Sequence, residues 1–254
     1  MPRLLFTCAY DGQLYCGWQS QRGVQSVQDT IEAAIGRILK EPVRIAASGR
    51  TDAGVHAHAQ CFHVDAPESC RLSMDNWVAA LNAHLPADIR ISCVQEVAPH
   101  FHARFDAVGK EYEYLICRAG VLSPFLRGRV WHVPHGFDAD ALAAALQIYV
   151  GTHDFRRFAA NRGNEPADPP PDFYLRTIYR ADLETDGDML RLLFHGNGFM
   201  YRMVRLLVGT AHQVARGRMT DEELAAMLKN PLGAKTRYCA PAEGLYLKQV
   251  FYDR

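Results

Sequence analysis

An aspartate held between glycines is the sequence's clearest candidate for chemistry. Asp52 stands in the string Gly49-Arg50-Thr51-Asp52-Ala53-Gly54-Val55-His56, directly after the apolar run 43–48. Glycines on both sides allow a tight backbone and the close approach of a ligand. A carboxylate presented this way can act as a nucleophile or a general base. Taken alone, Thr-Asp-Ala-Gly fits equally well an ordinary turn in which the Asp side chain bonds to its own backbone.

Other residues are spaced for chemistry, and each also has a plainer reading. His56 and His58, with His63 beyond, invite a metal site. Cys61 is expected on the other face and no third ligand is spaced nearby, so no metal is expected. Arg202, Arg205, Gly209, His212 and Arg216 recur at three- and four-residue steps, a polar stripe on a helix otherwise made of Met203, Val204, Leu206, Leu207, Val208 and Val214. A solvated helix face would look the same, although Arg205 is embedded in the apolar run. Tyr112 and Tyr114 share one face of a strand by period two, and the sequence alone does not separate them. Arg156, Arg157 and Arg162 form a basic knot that suits either an RNA backbone or a solvated loop. Residues 11–25 interleave Tyr15 and Trp18 with Gly, Gln and Arg, which reads as a mobile loop able to touch a polyanion or as an ordinary surface loop.

The elements that must position these groups follow from periodicity and caps. The first half reads as a strand 3–10, a helix 26–39 opened by Ser26 or Asp29, strands 43–48 and 58–65, a helix 74–84 capped by Ser73, and a strand 88–96. This β-α-β-β-α-β order is that of a ferredoxin-like unit. The second half repeats it with longer decoration: a strand 108–117, a helix 138–150, strands 176–185 and 189–195 joined through Asp186-Gly187, helices 199–216 and 221–229, and a strand 244–252. The expected class is α+β, two ferredoxin-like halves with a largely antiparallel central sheet, divided into 1–100 and 101–254. Residues 161–174 are Pro-rich and polar, and are expected to be extended rather than folded.

Composition bounds the partners. The 254 residues are 48% hydrophobic and 22% charged, with 28 basic and 28 acidic residues and a formal net charge of zero. This argues against a polybasic tail or a bulk nucleic-acid coat, and any nucleic-acid surface must be a local feature. Only five of the basic residues are Lys, so the positive charge is mostly the planar fork that pairs with phosphate and stacks on bases, a bias that the codon usage of a GC-rich genome produces as well. Seven scattered cysteines without a CxxC pair argue against a disulfide framework or zinc ribbon. The N-terminus lacks the pattern of a signal peptide, and no apolar run is long enough to span a bilayer. A reduced, cytoplasmic protein is expected.

The full string GRTDAGVHA, followed by a Gln and an apolar strand, resembles the catalytic motif of the TruA family of tRNA pseudouridine synthases. The likeness continues in order along the chain. YDGQLYCGWQSQ, SVQDTIEAAI, HARFDAVGKEYEYLI, GTHDFRRFA, RTIYRADL, GNGFMYRMVRLLVGTAHQVARG and APAEGLYL each resemble a family segment. The resemblance implies the pseudouridine synthase fold and an isomerase that converts uridine to pseudouridine at positions 38, 39 and 40 of the tRNA anticodon stem-loop, after base flipping and without a cofactor. It implies Asp52 as the catalytic carboxylate and Arg205 as the cation that keeps it ionised. It further implies Tyr112 against the target base, Leu245 as an apolar wall, and Arg50 filling the gap left by the flipped base. Arg156, Arg157, Arg202 and Lys110 are the expected RNA-binding residues, and a homodimer with no membrane association is expected. The chain departs from the pattern at Arg202, where His is common, at Cys239, where Thr or a small residue is usual, and in the expanded DPPPDFY stretch.

Two other functions compete. A non-catalytic ferredoxin-like RNA-binding module would use KEYEYL as a stacking strand, but the chain lacks the RNP1 pattern and the reading leaves GRTDAGVH without a purpose. Hydrolysis of the glycosidic bond would call for a second carboxylate and a positioned water, and no partner motif is visible.

Overall fold

The computed structural model describes residues 1–253 apart from 164 and 167. Asn164 and Ala167, inside the expected irregular stretch 161–174, and Arg254, the end of the expected second half, lie outside the described residues. The chain divides into two compact units, one of Met1–Val108 with the C-terminal segment from Tyr246, the other of Gly109–Leu245.

The first unit contains β1 (Arg3–Tyr10), α1 (Val27–Leu39), β2 (Ala46–Ala47), β3 (His56–Asp65), α2 (Met74–His84), β4 (Ile89–Val97) and the chain's last strand, β10 (Leu245–Tyr252), from Tyr246 onward. Strand β1 lies between β3 and β4 and is antiparallel to both. The free edge of β3 is shared: Ala46 and Ala47 of β2 pair antiparallel with its C-terminal part, while Tyr246 and Leu247 of β10 pair parallel with His56 and Ala57. The helices start where their caps say. Ser26 accepts from the Asp29 N–H and Ser73 from the Asn76 N–H, each satisfying a donor the first turn leaves open. The core under them is aromatic, with Phe6 stacked on Phe62 at 5.0 Å and Trp77 edge-on to Phe6 at 5.7 Å.

The expected strand 43–48 shrinks to Ala46–Ala47 for a visible reason. The side chain of Glu32 on α1 takes the Ile45 N–H at 3.1 Å and the Arg44 guanidinium at 2.9 Å. The backbone donor a ladder would need is thereby spent on a helix side chain.

The second unit contains β5 (Ala107–Cys117, from Gly109), β6 (Trp131–His132), α3 (Ala139–Gln147), β7 (Gly151–Asp154), β8 (Leu175–Asp186), β9 (Met189–Gly196), α4 (Met203–Ala215) and α5 (Asp221–Lys229). Its sheet runs β5-β9-β8-β7, antiparallel throughout, with the two-residue β6 parallel to the end of β5. The β8–β9 hairpin turns at Gly187, whose φ of +55° is the left-handed conformation that glycine tolerates. Helix α3 packs on β8 and on α4, and the fully buried Tyr149 beyond α3 donates to the Leu207 carbonyl at 3.0 Å. Strands β6 and β7 add to the expected set, because two and four residues are too short to show a period. Helix 199–216 begins four residues late: Arg202 sits at φ +58° as the residue before the helix, so the apolar pattern at 199–201 belongs to the approach rather than to the helix. Both halves thus follow the α+β, ferredoxin-like order, and their strands are largely antiparallel. Among the described residues no helix is long and apolar enough to cross a membrane.

Candidate active site

Asp52 begins a four-residue turn. Its carbonyl accepts the Val55 N–H at 3.2 Å, and Gly54 in the third position has φ +76°, the conformation such a turn demands of glycine. The turn reading and the chemical reading are therefore one structure: the turn is what presents the half-buried Asp52, with Arg50 exposed two residues earlier. Gln60, wholly buried on β3, ties down the entrance to this loop. Its amide donates to the Gly49 carbonyl at 3.1 Å, while its oxygen accepts from Ser48 Oγ at 2.6 Å and from the Cys61 N–H at 3.1 Å. A polar side chain at zero exposure needs its hydrogen bonds filled, and filling them fixes Ser48 and Gly49.

A second loop braces the first. Trp18 N–H donates to the Thr51 carbonyl at 3.1 Å, Gly54 N–H to the Tyr15 carbonyl at 3.3 Å, and Tyr10 Oη meets Thr51 Oγ1 at 2.8 Å. The backbones approach so closely that only glycine fits at two positions. A Cβ on Gly12 would lie 2.1 Å from the Val55 oxygen, and one on Gly17 would lie 2.6 Å from the Thr51 oxygen. Of the segment 11–25, the first part packs into the fold and residues 21–25 are exposed. Tyr15 and Trp18 are 3% and 2% exposed, so these aromatics serve as core and leave no face for a polyanion. The sequence carried a signal for this in YDGQLYCGW, where small residues punctuate large aromatics.

His56 completes the brace. Its Nδ1 accepts the Gly12 N–H at 3.1 Å and lies 3.3 Å from an Asp11 carboxylate oxygen, while Tyr246 stacks on both His56 and His58. His63 is engaged elsewhere, accepting the Ala103 N–H at 3.1 Å. Among the described residues no cluster of three or more metal-ligating side chains is found.

In the second unit the structure separates the two tyrosines of β5. Tyr114 is fully buried, donates from its hydroxyl to the Pro241 carbonyl at 2.8 Å, and has Gly244 so close that a Cβ there would lie 2.7 Å from the ring. Burial pushes its phenol well above the usual range. It is a strut. Tyr112 keeps a small exposed area and meets Phe199 edge-on at 5.1 Å.

Arg205 is half-buried on α4, with its Nε donating to the Ala240 carbonyl at 2.8 Å and its own carbonyl accepting the Ala240 N–H at 3.0 Å. The close packing of segment 238–240 on α4 requires Gly209, where a Cβ would lie 2.2 Å from the Tyr238 oxygen. The polar stripe expected on this helix divides: Gly209 and His212 are buried and Arg205 half-buried, while Arg202 and Arg216 at its ends are exposed. His212 is 3% exposed between Trp131 and Phe137, and Arg202 stands at the left-handed residue before the helix. Leu245, 6% exposed, follows the 3-10 turn Ala242–Gly244.

The expected RNA-binding residues differ in availability. Arg157 is engaged by carbonyls, with its Nε on Ala234 at 2.7 Å and Nη1 on Asn230 at 3.3 Å. Arg156 lies over the Tyr174 ring at 4.8 Å and Arg202 over Tyr201 at 5.1 Å. Lys110 sits on β5 opposite Gly196.

The profile of the tRNA pseudouridine synthase family matches residues 7–106 and 145–253. A protein of Akkermansia muciniphila named tRNA pseudouridine synthase A is 49% identical over 253 residues, which is 99% of this chain and 96% of that one. Its namesake in a Geobacillus species is 42% identical over 252 residues, 99% of this chain and 98% of that one. The crystal structure of a Cbf5-Nop10-Gar1 complex contains a chain that overlays with a TM-score of 0.39 at 10% identity, covering 96% of this chain and 57% of that chain. The matched residues include the Asp52 turn, its brace and α4, and the chain belongs to the tRNA pseudouridine synthase family, as an isomerase with the pseudouridine synthase fold.

Proposed function

We propose that this enzyme converts uridine to pseudouridine at positions 38, 39 and 40 of the tRNA anticodon stem-loop, with Asp52 as the catalytic carboxylate. The observation that carries the proposal is the construction around Asp52. A turn, a buried glutamine and a second glycine-bearing loop all hold the backbone that presents it.

The reaction breaks the N1–C1′ bond of uridine, turns the base and forms a C5–C1′ bond. N1 gains a proton and C5 loses one, so the product is an isomer and no oxidant, reductant or cofactor enters the balance. An ionised carboxylate is the reagent common to the available routes: addition to C1′, addition to C6, or removal of the C2′ proton. Arg205 is assigned the role of its charge partner, since an opposite charge within about 4–6 Å holds a carboxylate ionised. Tyr112 is assigned to pack on the base, and Leu245 to form the apolar wall beside it. Flipping the uridine costs a few kcal/mol of stacking and pairing, and the exposed Arg50 is assigned to fill the space it leaves. Lys110, Arg156, Arg157 and Arg202 are assigned to the RNA backbone. The carboxylate is assigned to the 1–100 half, and Arg205, Tyr112 and Leu245 to the 101–254 half. The enzyme acts in the cytoplasm as a homodimer.

Conversion of an unmodified tRNA transcript, mapped by nucleotide, tests this. Wild type is expected to act at positions 38, 39 and 40 without added metal, and Asp52→Asn to abolish conversion while still binding tRNA. Retained conversion in that variant would sink the assignment. A monomeric mass by light scattering would refute the dimer.

A further inference from the structure

Two tyrosines of the second unit each carry two cations. Tyr174 has the Arg156 guanidinium 4.8 Å from its ring centre and the Lys235 ammonium at 6.0 Å. Tyr201 has Arg162 at 4.8 Å and Arg202 at 5.1 Å. Both assemblies hang from one segment, 155–161. Phe155 N–H donates to the Tyr174 carbonyl at 3.0 Å, Ala160 N–H to the Tyr201 carbonyl at 3.1 Å, and Lys235 Nζ reaches the Ala159 carbonyl at 2.7 Å. The cations are close enough to oppose one another. Burial pushes the Lys235 ammonium down, with Glu165 opposing that shift and Arg156 adding to it.

Gathering like charges on one face is unfavourable unless something offsets the repulsion, and an aromatic face does so while leaving the charge in place. Arg156 shows how: its Nε is buried without a hydrogen-bond partner beside the Tyr174 ring. Acids are present, but they spend themselves locally. Asp154 lies 3.3 Å from Arg156, and Glu165 accepts the backbone N–H groups of Arg162 and Gly163. Arg162, Arg202 and Lys235 are exposed. A guanidinium lying over a ring keeps its in-plane N–H donors available, and these match phosphate oxygens.

We propose that Tyr174 and Tyr201 are the supports of an RNA-backbone clamp, holding Arg156, Lys235, Arg162 and Arg202 in position for successive phosphodiesters. This deepens the proposed function and rests on it for the identity of the ligand as tRNA. The tyrosines act through the cations they hold, so they are positioning residues. Arg162 and Lys235 thereby join the RNA-binding set, Lys235 with no signal in the sequence and Arg162 with only the local basic knot.

The test measures equilibrium binding of an unmodified tRNA transcript across a series of salt concentrations, alongside conversion at saturating tRNA. Each phosphate that the protein ceases to neutralise should reduce the salt slope by about 0.7–0.9. Tyr201→Leu and Tyr174→Leu are each expected to weaken binding about 3- to 10-fold and to lower the slope by the equivalent of about one to two phosphates. Tyr201→Phe, which keeps the ring face, is expected to bind as wild type. Should a leucine variant fail to fold, Arg162→Gln and Lys235→Gln on the exposed side must each lower the slope by the equivalent of about one phosphate. An unchanged slope in Tyr201→Leu, or equal losses in Tyr201→Phe and Tyr201→Leu, overturns the clamp. Wild type that binds tRNA but does not convert it overturns the proposed function instead and leaves the clamp standing.

Discussion

The hydroxyl of Tyr10 meets Oγ1 of Thr51 at 2.8 Å, with both residues buried and Asp52 next in the chain. Tyr10 is the last residue of β1, a strand held on both sides by its neighbours. The contact therefore links the most constrained strand of the first unit to the residue that sets the direction of the Asp52 turn.

Removing that hydroxyl tests whether the link matters for catalysis. Tyr10→Phe keeps the ring but leaves the buried Thr51 Oγ1 with one partner fewer, at a cost of about 1–3 kcal/mol. Urea denaturation should report that loss. Conversion kinetics should show a lower kcat with KM for tRNA held, since the substrate's own contacts are untouched. An unchanged kcat in a destabilised variant would reduce Tyr10 to a core residue.

Two glycines of the same loop offer a paired comparison. Gly17 and Gly23 both have left-handed φ values, +87° and +79°, but a Cβ at Gly17 would meet the Thr51 oxygen at 2.6 Å while Gly23 faces open space. Gly23→Ala should cost only the left-handed penalty, about 1–2 kcal/mol. Gly17→Ala should cost clearly more and also slow conversion, because relief of the clash moves the Asp52 turn. Equal melting temperatures for the two variants would refute the close-approach argument.

The two tyrosines of β5 should divide fold from activity. Tyr114→Phe loses the bond to the Pro241 carbonyl and should destabilise by about 0.5–1.5 kcal/mol with kcat unaffected. Tyr112→Ala removes a ring that is only 9% exposed and should cost about 3–5 kcal/mol as well, but under conditions where the variant is folded it should lose most of the conversion. The reverse pattern would mean the roles had been exchanged.

What was legible in the sequence, and what was not, follows the range of the forces involved. Local signals were readable. Ser26 and Ser73 cap the helices they were expected to open, because capping involves only the next three residues. The long strands β1, β8 and β9 were readable from pattern and turn residues. Non-local competition was hidden. Nothing near Ile45 shows that Glu32, thirteen residues earlier, takes its N–H. Nothing near Gly209 shows that the Tyr238 carbonyl will lie on it, so the burial of Gly209 and His212 in mid-stripe is hidden, while Arg202 and Arg216 at its ends are exposed as a solvated face would have them. At the site, the Asp52 string stands out as a motif, but the dependence of its turn on Tyr10, Gly17 and Gln60 belongs to contacts across the sheet.

The buried histidines make stability depend on pH. His212 lies between Trp131 and Phe137 with its Nε2 unpartnered, and burial pushes its pKa down to about 4, with the cations Arg216 and Arg218 acting in the same direction. His63 is likewise held down to about 4 by burial, then by Arg3 and His102, with Asp65 and Asp106 opposing. In the unfolded chain both titrate near 6.5. Between pH 4 and 6.5 the unfolded state binds more protons than the folded one, so stability is fully present above about 6.5 and falls as pH drops towards 4. Near pH 5 each histidine contributes a slope of about 1.4 kcal/mol per pH unit. His212→Leu preserves an apolar fit and removes the titration. Its denaturation midpoints, followed from pH 7 to pH 4.5, should fall less steeply than those of wild type by roughly that amount. A slope identical to wild type would show that His212 takes up no proton on unfolding, and that its burial is not what limits the fold in acid.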